Sequence, residues 1–261
     1  MELTFILYIL AGAAVGIAVG VTGVGGGSLM TPLLLMFGFP PNVAIGTDLL
    51  YAAITKSGGI ISHHHKRNID WHLVRRMALG SIPAAIITSL LLKFFFGDPE
   101  DYSHILTFSL GVMLVLTSFV LFFRQRLKEQ AENNVGILGF AHRYPAPFTI
   151  FMGFIIGAFV TLSSVGAGAI GAAVLMTLYP HLPSHRIVGV DIAHAVPLTF
   201  IAGIAHLWLG NVNFMLLACL LIGSLPAIHL GTLIGSRLPN KVLQPLLAFV
   251  LMGLGLKFVF F

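Results

Sequence analysis

Long uninterrupted apolar runs dominate this chain, in place of the two-residue alternation of strands or the one-sided stripe of a surface helix. Six of them, at residues 3–21, 43–62, 73–96, 104–123, 186–209 and 214–235, approach or exceed the ~20 residues a helix needs to cross a bilayer core. Two more, residues 147–163 and 242–261, are close to the minimum. A further two, residues 28–37 and 169–179, are about half as long, ~15 Å as helix. The pattern predicts an all-α integral membrane protein with about eight long transmembrane helices plus two short half-helices.

Each short piece follows a small-residue break. The first reads Thr22-Gly23-Val24-Gly25-Gly26-Gly27-Ser28 and the second Ser163-Ser164-Val165-Gly166-Ala167-Gly168-Ala169. The second string follows the first by 141 residues. Downstream the offset becomes 143 and pairs Gly46 with Gly189, Asp48 with Asp191, His63 with His206, Asn68 with Asn211, and Gly80-Ser81-Ile82-Pro83 with Gly223-Ser224-Leu225-Pro226. Scattered Gly and Ala matches arise by composition, but a shared register of Asp, His, Asn and Pro over about 45 positions indicates tandem duplication. The expected division is residues 1–123 for the first membrane repeat, 124–145 for a cytoplasmic linker, and 146–261 for the second. The linker, with Arg124, Arg126, Lys128, Glu129, Glu132 and Arg143, reads as a solvated loop.

Lys and Arg position sets membrane orientation. It places Lys66, Arg67, Arg75, Arg76, the linker, Arg186, Arg237 and Lys241 in the cytoplasm, and Asp98, Glu100 and Asp101 outside. Each short piece must then turn the chain back across or halfway across the membrane, giving five segments per half. An odd count inverts the second copy.

Composition reinforces this picture. Of 261 residues, 57% are hydrophobic and 9% charged, against about 45–50% and 25% in soluble domains. The mean hydropathy is +0.97. The net charge of +5 lies in residues flanking apolar runs instead of in one patch, which argues against nucleic acid. Cys219 is the only cysteine, so neither an internal disulfide nor a multi-cysteine metal site is available. No Lys or Arg precedes the first apolar run, so it reads as a retained membrane segment and not a secretory leader.

Gly-interrupted short helices at matching places in inverted halves are the pattern of secondary transporters, where irregular backbone lines a site near the midplane. The successive glycines Gly25, Gly26, Gly27, Gly166 and Gly168 allow backbone amides to turn inward, and Ser28 can cap the following helix. With hydroxyls from Thr22, Ser163 and Ser164, these groups suit an oxyanion. Lys56, well inside a span, is a candidate counter-charge or a snorkelling surface lysine. Asp48 and its repeat partner Asp191 should lie toward opposite faces as proton or gate residues, with His194 one turn from Asp191. The consecutive His63, His64 and His65 diverge by about 100° each on a helix and sit at a membrane boundary, so they read as an interfacial basic cluster. No metal or cofactor is expected.

The two halves, the Gly25-Gly26-Gly27 break, the short helix with Pro32, Asp48, the stretch from His63 to Asp70, and Gly80-Ser81-Ile82-Pro83 together resemble the TauE/SafE sulfite exporter (TSUP) family, over essentially the whole chain. The resemblance implies a transporter in the inner (plasma) membrane of a bacterium or archaeon, exporting small sulfur-containing oxyanions such as sulfite or organosulfonates. Alternating access about a midplane site, coupled to H+ or another ion, is the implied mechanism. An anion channel and a membrane-embedded metal-dependent enzyme remain alternatives. The expected partners are the anion, the lipid bilayer and a coupling ion, with a homodimer left open.

Overall fold

The computed structural model describes residues 2–22, 27–96, 98, 100–132, 142–235 and 240–260. Among these there are ten helices and no strand. They are α1 (Glu2–Thr22), α2 (Gly27–Met36), α3 (Pro41–His65), α4 (Trp71–Phe95), α5 (Ser103–Glu132), α6 (Pro145–Ser163), α7 (Ala169–Leu178), α8 (Ser184–Trp208), α9 (Phe214–Gly235) and α10 (Asn240–Phe260). Eight have 19 to 30 residues, and α2 and α7 have 10 each.

Seven of the long helices are apolar enough to cross a membrane. The eighth, α3, is 25 residues long but carries Lys56, Ser57, Gly58, Gly59 and three histidines in its second half. Its first half is buried against α8, α2 and α9, whereas the half that carries these residues is partly or fully exposed toward the end of the bundle. The outside of the bundle is apolar: Leu10, Phe94, Phe95, Phe151, Leu233 and Phe249 are all exposed. In water such a continuous surface would be costly, and in lipid it is the solvated face. The chain is a multi-pass membrane protein.

The small residues of the sequence are spent on close helix approach. Gly12 and Gly16 of α1 lie against the backbone of Leu220 and Ser224 in α9, while Gly153 and Gly157 of α6 lie against Met77 and Ser81 in α4. These contacts are reciprocal: each residue of the second set is the repeat equivalent of one in the first. Gly80 on the backbone of Ile150 and Phe154 matches Gly223 on Ile9 and Ala13 in the same way. So does Gly46 on Asn211 with Gly189 on Asn68, which also makes α3 and α8 antiparallel. The helix starts repeat the theme. Asp70 accepts from the amides of His72 and Leu73 to cap α4, and Asn213 accepts from Leu216 to cap α9.

Both short helices double back. Thr149 near the start of α6 and Tyr179 at the end of α7 share a hydrogen bond of 2.8 Å, so α7 returns toward the end at which α6 began. Tyr8 of α1 and Phe39 after α2 meet in the same relation, with ring centroids 5.4 Å apart.

Most basic residues collect at one end, with Lys93 and Lys257 as exceptions in the last turns of α4 and α10. Arg186 pairs with Asp70 at 3.5 Å, Arg76 donates to the Tyr179 hydroxyl, and Lys66 and Arg67 occupy the same α3–α4 connection. The opposite end carries the exposed Asp98, Glu100 and Asp101. There Asn211 accepts from Asn42 and donates to the Tyr102 hydroxyl, both at 2.8 Å.

The polar stretch expected to begin a loop at Arg124 is instead helical through Glu132. The residues Arg124-Gln-Arg-Leu-Lys-Glu-Gln-Ala-Glu are strong helix formers, so α5 continues beyond its apolar span. Tyr144 and Pro145, the latter with its φ preset for a first helical turn, start α6.

Candidate functional site

The second break is built by its own sequence. Ser164 closes α6 in the left-handed conformation (φ 58°), and Gly166 and Gly168 follow at φ 114° and 147°. A side chain at either glycine would be strained, so the two let the chain reverse within five residues. Ser163 steadies the turn, donating to the Phe159 carbonyl (2.6 Å) and accepting from the Val165 amide (3.2 Å). α7 then begins at Ala169.

α3 supplies the charged groups facing this break. Lys56 Nζ donates to the Ala167 carbonyl at 2.6 Å, tying the helix to the turn. Two turns earlier, Asp48 is fully buried. Its Oδ2 accepts from Thr31 Oγ1 of α2 at 2.5 Å, and its Oδ1 has no hydrogen-bond partner. The Ser164 hydroxyl lies beside this carboxylate and also lacks a partner.

Asp191 of α8 is similarly buried, and its Oδ1 is unpartnered. That oxygen rests against Gly171 of α7, at the place a Cβ would occupy. The cations acting on it are Lys56 first and Arg124 second. A cavity of about 350 Å³ opens here, lined by Lys56, Arg124, Asp191, Gly168, Ala169 and Thr55 among others. The amino-terminal end of α7 borders it, where the helix dipole favours negative charge, although the Gly171 amide is already bonded to the Gly166 carbonyl.

The two carboxylates stand at different depths. Gly59 faces Ile192 and Gly203 faces Leu50 across the antiparallel pair, so Asp191 is level with the residues just after Gly59. That is about 12 residues, or ~18 Å, along α3 from Asp48. Lys56 lies between them.

His194 Nε2 and Ser81 Oγ are 2.7 Å apart, and Nδ1 is unpartnered. A hydrogen bond linking His194 to Asp191 is therefore not part of this arrangement, although both share α8. The repeat equivalents, Tyr51 and Ser224, lie beside each other in the same relation. His206 donates from Nε2 to the Thr161 carbonyl at 2.9 Å and receives Asn211 at Nδ1.

Of the residues singled out in the sequence, Lys56, Asp191 and Gly168 come together at the cavity, while Asp48 and Ser164 lie beside each other outside its lining. Ser163 is used within its own turn. Thr22 ends α1, Gly27 begins α2, and Ser28 is buried in its first turn. Gly25 and Gly26 lie outside the described residues, as do the side chains of Thr22 and Gly27. His63, His64 and His65 end α3: His63 faces Asn68, His65 faces the Ile61 carbonyl, and the His64 ring lies against Trp71. Sequence reasoning missed Thr31, Arg124 and Ser81. Thr31 had a signal, as a hydroxyl inside an otherwise apolar half-helix, whereas Arg124 was hidden by its charged neighbours.

Comparison with known proteins agrees with this architecture. Residues 8–258 match the family model for the sulfite exporter TauE/SafE. A protein of Bacillus subtilis called "Probable membrane transporter protein YjnA" is 37% identical over 96% of this chain and 98% of its own length. The "Probable membrane transporter protein YdhB" of the same organism is 28% identical over 91% and 93%. A Methanocaldococcus jannaschii relative, "Probable membrane transporter protein MJ0441", is 27% identical over 96% and 93%. No solved structure matches. With the family model covering nearly its full length, and with seven helices able to cross a bilayer, the chain is a member of the TauE/SafE family of membrane transporters.

Proposed function

We propose that this protein is a secondary transporter of a small sulfur-containing oxyanion, sulfite or an organosulfonate, coupled to an ion or proton gradient and acting as an exporter. The observation that carries the reading is the cavity at the second break. Lys56 and Arg124 provide positive charge, the start of α7 provides amide donors, and about 350 Å³ falls in the range of small-molecule sites. The cavity opens beside backbone that is irregular at membrane depth, which is tolerated only where protein or a polar cavity receives it. The reciprocal contacts between the halves support an inverted repeat, and rocking of one half against the other would expose the site alternately.

Flux into proteoliposomes of full-length protein tests this. Labelled sulfite and sulfoacetate should cross under an imposed ion or pH gradient, with trans-stimulated exchange, while a neutral solute of similar size should not. Lys56→Met should reduce sulfite flux by about tenfold or more, since a charge-assisted contact to an anion is stabilising by about 1.5–3 kcal/mol. Wild-type-like flux in Lys56→Met would remove this cavity as the anion site. Flux with no exchange and channel-like rates would overturn the secondary-transport mechanism.

A further inference from the structure

The two repeat-related carboxylates have diverged in a way that separates charge. Asp191 is attended by cations, Lys56 and then Arg124, and borders the cavity assigned above to an anion. Asp48 is attended by hydroxyl oxygens: Thr31 Oγ1 at 2.5 Å on Oδ2, and the Ser164 hydroxyl beside the carboxylate, whose Oδ1 has no hydrogen-bond partner. Both Asp48 and Ser164 are more than nine-tenths buried, so water does not make good the missing partners from bulk. Such a buried carboxyl group is either protonated or matched by a positive charge.

Lys56 is shared: its charge acts on both carboxylates, while its ammonium is bonded to the Ala167 carbonyl and not to Asp48. Ser164 terminates α6, and the last carbonyls of a helix carry its negative dipole end and have no intrahelical partner. A carboxylate, two hydroxyls and a helix carboxyl-terminus form a set of hard oxygen donors, the chemistry that binds a small, hard cation. The other face of the same break presents the opposite polarity, the amino-terminal end of α7.

The geometry points to a Na+ site formed by Asp48, Thr31 and Ser164 at the end of α6. The site lies on the side of the molecule where Asn42 and Asn211 meet Tyr102, next to the exposed Asp98, Glu100 and Asp101. Those three carboxylates raise the local cation concentration at that end of the molecule. Occupancy would fix α2, α3 and the α6–α7 break relative to one another, since each contributes a ligand. As the coupling ion of transport, Na+ rests on the function proposed above; as a bound ligand it does not.

Thermal unfolding of purified full-length protein in detergent tests it without any transport step. The midpoint would be compared in NaCl, KCl and choline chloride at equal ionic strength and one pH. Na+ should raise the midpoint in a saturable way, and K+ and choline should not. Asp48→Asn should erase the Na+ response, and Asp191→Asn should keep it. Thr31→Val and Ser164→Ala should each raise the Na+ concentration giving half the effect by about tenfold or more. They decide the question if Asp48→Asn fails to fold. Equal midpoints in the three salts, a Na+ response that survives in Asp48→Asn, or Thr31→Val and Ser164→Ala matching wild type would each overturn the site. So would oxyanion flux driven by pH alone with no effect of Na+ on flux or midpoint, which would make Asp48 a proton carrier. Sulfite flux can fail while Na+ binding stands, and the reverse, so the two readings are separately refutable.

Discussion

Replacing Gly80 by Ala tests whether the bundle is held by reciprocal close approach. The new Cβ would lie 2.7 Å from the Phe154 amide nitrogen and 2.9 Å from the Ile150 carbonyl carbon, with the Ile150 oxygen nearer still. Favourable carbon contacts need about 3.5 Å or more, and these neighbours are backbone, so α4 and α6 must separate by about an ångström or more to clear the Ile150 oxygen. Overpacking of this kind costs about 1–3 kcal/mol. The better helix propensity of Ala returns up to about 1 kcal/mol, leaving a net loss of about 1–2 kcal/mol. Gly223→Ala meets the Ala13 nitrogen and the Ile9 carbonyl carbon, each at 2.9 Å, and should lose a similar amount. Gly253→Ala meets nothing within 4 Å and keeps only the propensity gain, so it should be neutral or slightly stabilising. Reversible unfolding of the purified variants in mixed detergent would measure all three, and the double variant should be additive because the sites are independent. The reasoning fails if Gly80→Ala is as stable as Gly253→Ala, or if one of the repeat-related pair is destabilised and the other is not.

Other consequences follow from the polar interior. Asn211→Ala would strip partners from the buried Asn42 amide and Tyr102 hydroxyl, and should cost about 1–3 kcal/mol in the same unfolding assay. Asp70→Ala should cost about 1 kcal/mol through loss of the α4 cap. Arg186→Ala removes only a half-exposed ion pair at 3.5 Å and should change stability by less than about 0.5 kcal/mol. If the Arg186 variant is the less stable of the two, the capping role of Asp70 is wrong.

The long helices were legible because lipid leaves little choice. A segment of about 20 apolar residues must satisfy its own backbone, and the half-helices stood out as apolar pieces too short to do so across a bilayer. The shared register of Asp, His, Asn and Pro also predicts which glycines occupy matching helix contacts, as Gly80 on Ile150 and Gly223 on Ile9 do. Less legible was whatever depends on which polar group finds which partner. Asn68 and Asn211 look equivalent in the sequence, yet Asn211 is buried against Tyr102 and His206 while Asn68 meets a partly exposed His63. The polar run from Arg124 reads as a loop because composition does not distinguish a solvated loop from a solvated helix, and α5 carries it on as helix. Thr31 looked like one more residue of an apolar piece until α2 was laid against α3.

The duplicated positions divide by what they do. Those that set helix spacing and helix starts, Gly80 with Gly223, Gly46 with Gly189, and Asp70 with Asn213, hold the same role in both halves. Those around the break do not. Lys56 corresponds to Thr199, which donates to its own helix at Ala195; Thr31 corresponds to Ala172; Tyr51 corresponds to His194. A centre as symmetric as its frame would present the same chemistry twice, and two equal carboxylate sites would compete for the ammonium of Lys56. The Lys56 charge acts on both carboxylates, but Arg124 acts on Asp191, and Thr31 supplies Asp48 with a hydroxyl where Ala172 supplies Asp191 with none. Frame substitutions should therefore act in matched pairs, whereas Asp48→Asn and Asp191→Asn should differ in kind, the first changing the response to cation and the second the response to anion.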